Sequence, residues 1–234
     1  MRSTLALLLT VPSLACAGSW YGVRGSGHLI EDNREVRSPF RAIEVDGDVS
    51  LKILPGPNKI LVRADDNILP LIETRVRGGT LRVGPKEDSH IGSATVEVTV
   101  WVPELSGVEI SGACDVDSTA PTAAELKLEV SGSGKLKLAQ VQSNAVRVEI
   151  SGASDVVLSG KTHTLSLEVS GSSELKMAQL EVDTLDLSVS GASNIHAKVK
   201  SEVKGEVSGS SEIRIAGRPA THVDVSGSST VVTE

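Results

Sequence analysis

A chain of 234 residues with 39% hydrophobic content can bury a core in one large domain or two small ones. Its formal charge of −7 and its lack of a basic patch argue against nucleic acid, whose phosphates are held by clustered Lys and Arg. Trp20, Tyr21, Phe40 and Trp101 are the only aromatics, so residues 102–234 must build their core from Val, Leu and Ile, side chains suited to strand layers.

Residues 1–17 read as a secretory signal peptide. Arg2 gives a positive end, LALLLTV (5–11) is a short apolar run, Pro12 and Ser13 break it, and ACA (15–17) has the small-x-small form of a cleavage site. The run is well short of the roughly 20 residues of a spanning helix, and no later segment qualifies. The protein is therefore expected to be exported, to the periplasm, the outer membrane or the cell surface. SLAC (13–16) offers a second reading, a lipoprotein signal of residues 1–15 with Cys16 as the candidate lipidation site. Ser13 stands where that pattern wants Leu, and both readings stay open. Membrane contact is expected only through such an N-terminal lipid. Cys114 has no partner other than Cys16, so neither a structural disulfide nor a cysteine metal site is expected. Residues 18–37 are expected to form a flexible leader. Its glycine-rich GVRGSG (22–27) follows no strand and precedes no helix, which argues against a phosphate loop.

Residues 38–234 read as a single domain, with 38–102 as N-terminal coils and cap. FRAIEVDGDVSLKI (40–53), KILVRA (59–64), TLRV (80–83) and TVEVTVWV (95–102) alternate as strands do. Between them, DDNILPLIETRV (65–76) can form a short helix opened by Asp65 or Asp66, despite Pro70 near its beginning, and a helix or loop there is expected to cover the open end of the stack.

Residues 103–234 carry one phrase seven times. VEISGACDV at 108, LEVSGSGKL at 128, VEISGASDV at 148, LEVSGSSEL at 167, LSVSGASNI at 187, GEVSGSSEI at 205 and VDVSGSSTV at 223 align on Ser-Gly. The serines fall at Ser111, Ser131, Ser151, Ser170, Ser190, Ser208 and Ser226, spaced by 20, 20, 19, 20, 18 and 18 residues. Before each Ser an alternation such as Val146, Val148, Ile150 or Leu165, Leu167, Val169 points apolar side chains one way and polar ones the other. After it the alternation resumes, as in Leu136 and Leu138 or Leu175 and Met177, and a weaker third strand is expected around Val141, Leu180 and Val182.

A period of this size with strand-like alternation predicts stacked β coils, seven of them forming a rod roughly 30 Å long. An antiparallel sandwich is the alternative, but hairpin neighbours run in opposite directions and would not return the same turn in the same register. The glycines Gly112, Gly132, Gly152, Gly171, Gly191, Gly209 and Gly227 are read as corners, where positive φ or close backbone approach is needed. The residue after each is Ala or Ser, and the next is Ser in five copies, Gly134 in one and Cys114 in one. Small side chains let corners stack, and serine hydroxyls can bond backbone groups left open by the bend.

FRAIEVDGDVSLKILPGPNKILVRADDNILPLIETRVRGGTLRV followed by recurrent VSGSS and ISGAS phrases resembles the bacterial family described as putative auto-transporter adhesin, head GIN domain, over about residues 38–231. The resemblance implies an all-β, single-stranded right-handed parallel β-helix on an exported protein, often a lipoprotein. It brings no catalytic motif.

Candidate chemistry is sparse. Glu109, Glu129, Glu149, Glu168, Glu206 and Asp224 share one outward register and form a candidate acidic ladder. Lys127, Arg147, Lys204 and His222 on the same face are expected to compensate it through water. One acid per coil does not supply the six to eight converging oxygens of a calcium site. The position four after each Ser reads Asp115, Lys135, Asp155, Glu174, Asn194, Glu212, Thr230, changing sign where a metal ligand would be kept. The histidines His28, His90, His163, His196 and His222 show no metal-ligand spacing. No catalytic residue, metal or cofactor is assigned. The function expected is that of an exported, non-enzymatic, adhesin-like or structural envelope protein presenting a repetitive surface to an unidentified protein or glycan. A polysaccharide-active β-helix enzyme and an envelope scaffold or sensor are the alternatives.

Overall fold

The computed structural model describes residues 22–234, so the signal or lipoprotein signal over 1–17 and Cys16 lie outside the described residues. The chain forms β1 (Leu29–Arg34), β2 (Ala42–Gly47), β3 (Ser50–Pro55), β4 (Lys59–Asp65), β5 (Ile72–Arg77), β6 (Thr80–Pro85), β7 (Val96–Val102), β8 (Leu105–Gly112) and β9 (Asp115–Ser118). Longer strands follow, bending around the stack: β10 (Thr122–Gly132), β11 (Lys135–Gly152), β12 (Asp155–Gly171), β13 (Glu174–Gly191) and β14 (Asn194–Gly209). The last elements are β15 (Glu212–Ala216), β16 (Ala220–Val225) and β17 (Thr230–Thr233).

These strands build a parallel β-solenoid. On one face β6, β2, β8 and β10 lie side by side, followed by the C-terminal halves of β11 to β14 and then β16. On a second face β7, β3 and β9 are followed by the N-terminal halves of β11 to β14, then β15 and β17. A third, shorter face aligns Val141, Gly160 and Leu180. The alternation decides what is buried: Val146, Val148, Ile150, Leu165, Leu167, Val169, Leu185, Leu187 and Val189 all point inward and are at most 3% exposed. Each such burial is worth about 2 kcal/mol, and like side chains pile on like along the axis.

The N-terminal end departs from simple winding. β2 lies between β6 and β8, so the chain lays down one rung, folds back to insert β6 and β7 beneath it, then crosses to β8 above it. The short helix that 65–76 can form by its sequence is not made. Only Leu69–Leu71 make a single 3-10 turn, and Ile72–Arg77 continue as β5, antiparallel to β6. Pro70 lacks an N–H for a longer helix, and the alternation of Ile72, Thr74 and Val76 suits a strand edge. This end is closed instead by antiparallel strands: β5 on one face, and β4 then β1 on the other.

The leader expected over 18–37 is, from residue 22 onward, joined to the fold. β1 pairs with β4, Val23 bridges to Ile91, and the buried Asp65 carboxylate accepts the Gly27 N–H at 2.7 Å and the Thr95 N–H at 2.9 Å. At the far end β16 and β17 pair on one side only among the described residues, leaving Val225 and Val232 exposed. No helix among the described residues is long and apolar enough to cross a membrane.

Candidate functional site

The corner is the unit from which both surface and cohesion arise. At Gly152 the backbone has φ of 128°, and a Cβ placed there would lie 2.2 Å from the Gly132 carbonyl oxygen of the rung before. Only a residue without a side chain permits both. The same carbonyl accepts the Ala153 N–H at 2.9 Å, so the close approach is itself a hydrogen-bonded stack. The other assigned corner glycines repeat this contact, and Gly47 starts the series beneath Gly112. Gly47 carries the corner in the IEVDG echo, although its Asp46-Gly47 replaces Ser-Gly.

Two residues beyond the glycine in most rungs, a side chain turns inward, Gly134 marking the rung without one. Ser154, Ser173, Ser193 and Ser211 are all buried. Each of the latter three accepts the backbone N–H of its counterpart one rung back at 3.1–3.2 Å and donates to a glycine carbonyl there at 3.2–3.3 Å. Cys114 occupies the same place, its thiol donating to the Gly47 carbonyl oxygen at 3.5 Å. Burial, with nearby Asp46, Asp48 and Asp115, pushes its pKa up to about 11, leaving an unreactive thiol.

The acidic ladder is real geometry: Glu44, Glu109, Glu129, Glu149 and Glu168 stand directly opposite one another in successive rungs. Ser188 interrupts it before Glu206 and Asp224. A shallow trough of about 530 Å³ runs between this column and the parallel row Ser131, Ser151, Ser170 and Ser190. Part of the compensation is direct, by Arg82, Lys127 and Arg147. Arg82 reaches Glu44 at 3.5 Å, Lys127 pairs with Glu129, and Arg147 lies 3.8 Å from Glu149 and 3.9 Å from Glu168. Glu109 has no ion-pair partner among the described residues. Partial burial, then the carboxylates of Glu129 and Glu44, hold its pKa above the usual range.

One carboxylate per rung gives a straight row at strand spacing, which does not converge on a point. Among the described residues no group of three or more His, Cys, Asp or Glu is placed to hold a metal ion. The histidines are dispersed: His28 lies 3.6 Å from Asp66, His163 2.8 Å from Asp183, His196 stands between Lys176 and Arg214, and His222 opposes Lys204.

A charged cluster on the third face escaped the sequence reading. Glu181 lies within 3.4–3.8 Å of Lys161, Lys198 and Lys200, and Lys200 above all holds its carboxyl below the usual range. The hydrogen bond from His163 does the same for Asp183. Register slips at Leu138/Val141 and Met177/Glu181 hide this face, because they break the alternation that marks the other two.

The family model described as putative auto-transporter adhesin, head GIN domain, matches residues 39–219. The chain belongs to that family. Solved structures share the fold of this family member. A putative adhesin from Bacteroides fragilis superposes with a TM-score of 0.85 at 21% identity, covering 91% of this chain and 100% of its own. A putative adhesin from Parabacteroides merdae gives a TM-score of 0.70 at 20% identity over 91% and 98% of the two chains. A putative lipid binding protein from Parabacteroides distasonis gives a TM-score of 0.63 at 18% identity over 91% and 99% of the two chains. No curated protein matches the chain in sequence.

Proposed function

We propose that this head GIN domain protein is an exported, non-enzymatic component of the cell envelope or surface, whose repeating outer faces bind another protein or a glycan. The observation that carries this reading is the register of the outward columns, in which Glu109 to Glu168 and Ser131 to Ser190 repeat a single pattern along the axis. A partner with its own repeat, a glycan strand or another stacked protein, meets the same chemistry at every rung and gains from many weak contacts at once. The adhesin family and the adhesin names of the solved relatives support the same reading, and the apolar run 5–11 followed by ACA supports export.

The test has two arms. Fractionation of cells making the full chain or its Cys16→Ala form, with the mass of the mature N-terminus, is expected to place the protein outside the cytoplasm. Purified protein is expected to bind isolated envelope material saturably, and the fourfold Gln variant of Glu109, Glu129, Glu149 and Glu168 to bind it differently. A cytoplasmic protein, or one that binds no envelope component, sinks the proposal; so does turnover of acidic polysaccharides.

A further inference from the structure

The inward corner column runs Ser211, Ser193, Ser173, Ser154, Gly134 and Cys114 down to Val49, each rung tied to the next by a backbone hydrogen bond such as Asp115 N–H to the Val49 carbonyl at 3.0 Å. Below Val49 the column stops. On the rung of β6 and β7 the chain makes the same passage with the long segment 86–95 instead of a tight corner. The space a corner side chain would occupy is left as a cleft of about 840 Å³.

Its back wall is the buried Val49, Ile72 and Val96, and its sides are Pro85, Ala94 and Ile91. Its roof is the strand-like pairing of Val23 with Ile91, closed by the Val23 N–H to the His90 carbonyl at 2.7 Å and the Gly92 N–H to the Val23 carbonyl at 3.0 Å. Asp65 ties together the two segments that make that roof, accepting from Gly27 on one and from Thr95 on the other. Polar groups stand at the lining's edge: Asp48 and Asp88 are exposed there, beside His90.

From this geometry we infer that the cleft is a binding site for one long aliphatic chain bearing a neutral or cationic head group. Its volume lies in the range of small-molecule sites. The back wall side chains have no hydrogen-bonding group, so they select an alkyl or acyl chain, which gains by leaving water. The Asp48 and Asp88 carboxylates repel an anionic head and attract an ammonium. This site lies apart from the outward columns, and the inference does not depend on the contact-surface reading.

The experiment titrates the full chain with N-phenyl-1-naphthylamine, a neutral probe that fluoresces in apolar sites, and displaces it with dodecyltrimethylammonium or dodecanoate below their micelle concentrations. The expected result is saturable binding, with the cation displacing the probe at a concentration at least ~10-fold lower than the anion. Ala94→Phe, which fills the cleft, is expected to weaken probe binding at least ~10-fold. The double variant Asp48→Asn, Asp88→Asn changes two exposed residues and should keep the probe while losing the head-group preference; it decides the matter should Ala94→Phe fail to fold. Absence of saturable binding, full binding by a folded Ala94→Phe, or an unchanged preference in the double Asn variant overturns the inference.

Discussion

The Ser173 hydroxyl accepts the backbone N–H of Ser154 at 3.2 Å, one rung back, where both residues are buried. Among the described residues that bond is the only partner of the Ser154 N–H, whereas the Gly152 carbonyl to which Ser173 donates also receives the Ser172 N–H. Ser173→Ala therefore orphans a buried donor more than it orphans an acceptor. It should cost about 1–3 kcal/mol, measured by urea unfolding. Ser170→Ala, on the exposed row three residues earlier, should stay within about 0.5 kcal/mol. Equal effects at the two positions would refute the stacked-hydroxyl account.

At the corner itself the backbone sets the limit. Gly152→Ala forces a Cβ against the Gly132 carbonyl at a φ of 128° that L side chains rarely adopt. The expected loss exceeds about 3 kcal/mol or leaves insoluble protein, since both strain and steric overlap must be relieved by opening the stack. Ala153→Ser at the next position should lie within about 0.5 kcal/mol, because Ser133 and Ser172 already occupy that place in the neighbouring rungs. Circular dichroism with thermal melting of the pair separates the two roles.

Much of this architecture was legible because the repeat states the same physical requirement seven times. A glycine where Cβ has no room, a small residue to let corners stack, and a hydroxyl for the inward position all recur at one spacing, and the apolar alternation names the buried face. The N-terminal rungs were less legible for a definite reason. Alternation tells which side chains point inward but not which way a strand runs. KILVRA and IETRV therefore gave no sign that β4 and β5 run antiparallel, or that β6 and β7 are inserted beneath β2 and β3. Asp65 read as a helix start, because its role as a clasp depends on partners at Gly27 and Thr95 that only the fold brings near. The direct pairing of Lys127 and Arg147 with the acidic column turns on side-chain conformation, which register alone does not specify.

Cys114 tests whether the inward column is one continuous structural series. Its thiol is fully buried with a pKa pushed up to about 11, so thiol reagents at pH 8 should modify it only on the timescale of unfolding. Cys114→Ser should change stability by less than about 1 kcal/mol, because the hydroxyl finds the Gly47 carbonyl that the thiol already addresses. Cys114→Val removes that donor and adds a methyl group between the buried Val49 of one neighbouring rung and Gly134 of the other, where a Cβ placed on Gly134 would already lie 3.0 Å from the Cys114 carbonyl oxygen; it should be the more damaging change. Rapid labelling of the native protein, or a Ser variant less stable than the Val one, would contradict the series.

The acidic column carries a pH signature whose sign follows from Glu109. Partial burial and the facing carboxylates of Glu129 and Glu44 raise its folded-state pKa, so folding favours the protonated form. Its contribution is most favourable below the ordinary glutamate pKa and is lost as pH rises through the raised folded value, leaving ionised Glu109 a net cost at neutral pH. Glu109→Gln should therefore stabilise the protein at pH 7, by no more than about 0.5 kcal/mol because the exposed site is screened by solvent. That gain should shrink below about pH 4, where the wild-type carboxyl is already neutral in both states. Asp183 provides the opposite sign. The His163 hydrogen bond depresses its pKa, so its contribution is present above the ordinary aspartate value and lost as pH falls through the depressed one. Removing His163 should flatten the acid limb of the stability curve while Glu109→Gln raises the neutral plateau, and denaturant midpoints collected from pH 3 to 8 would distinguish the two.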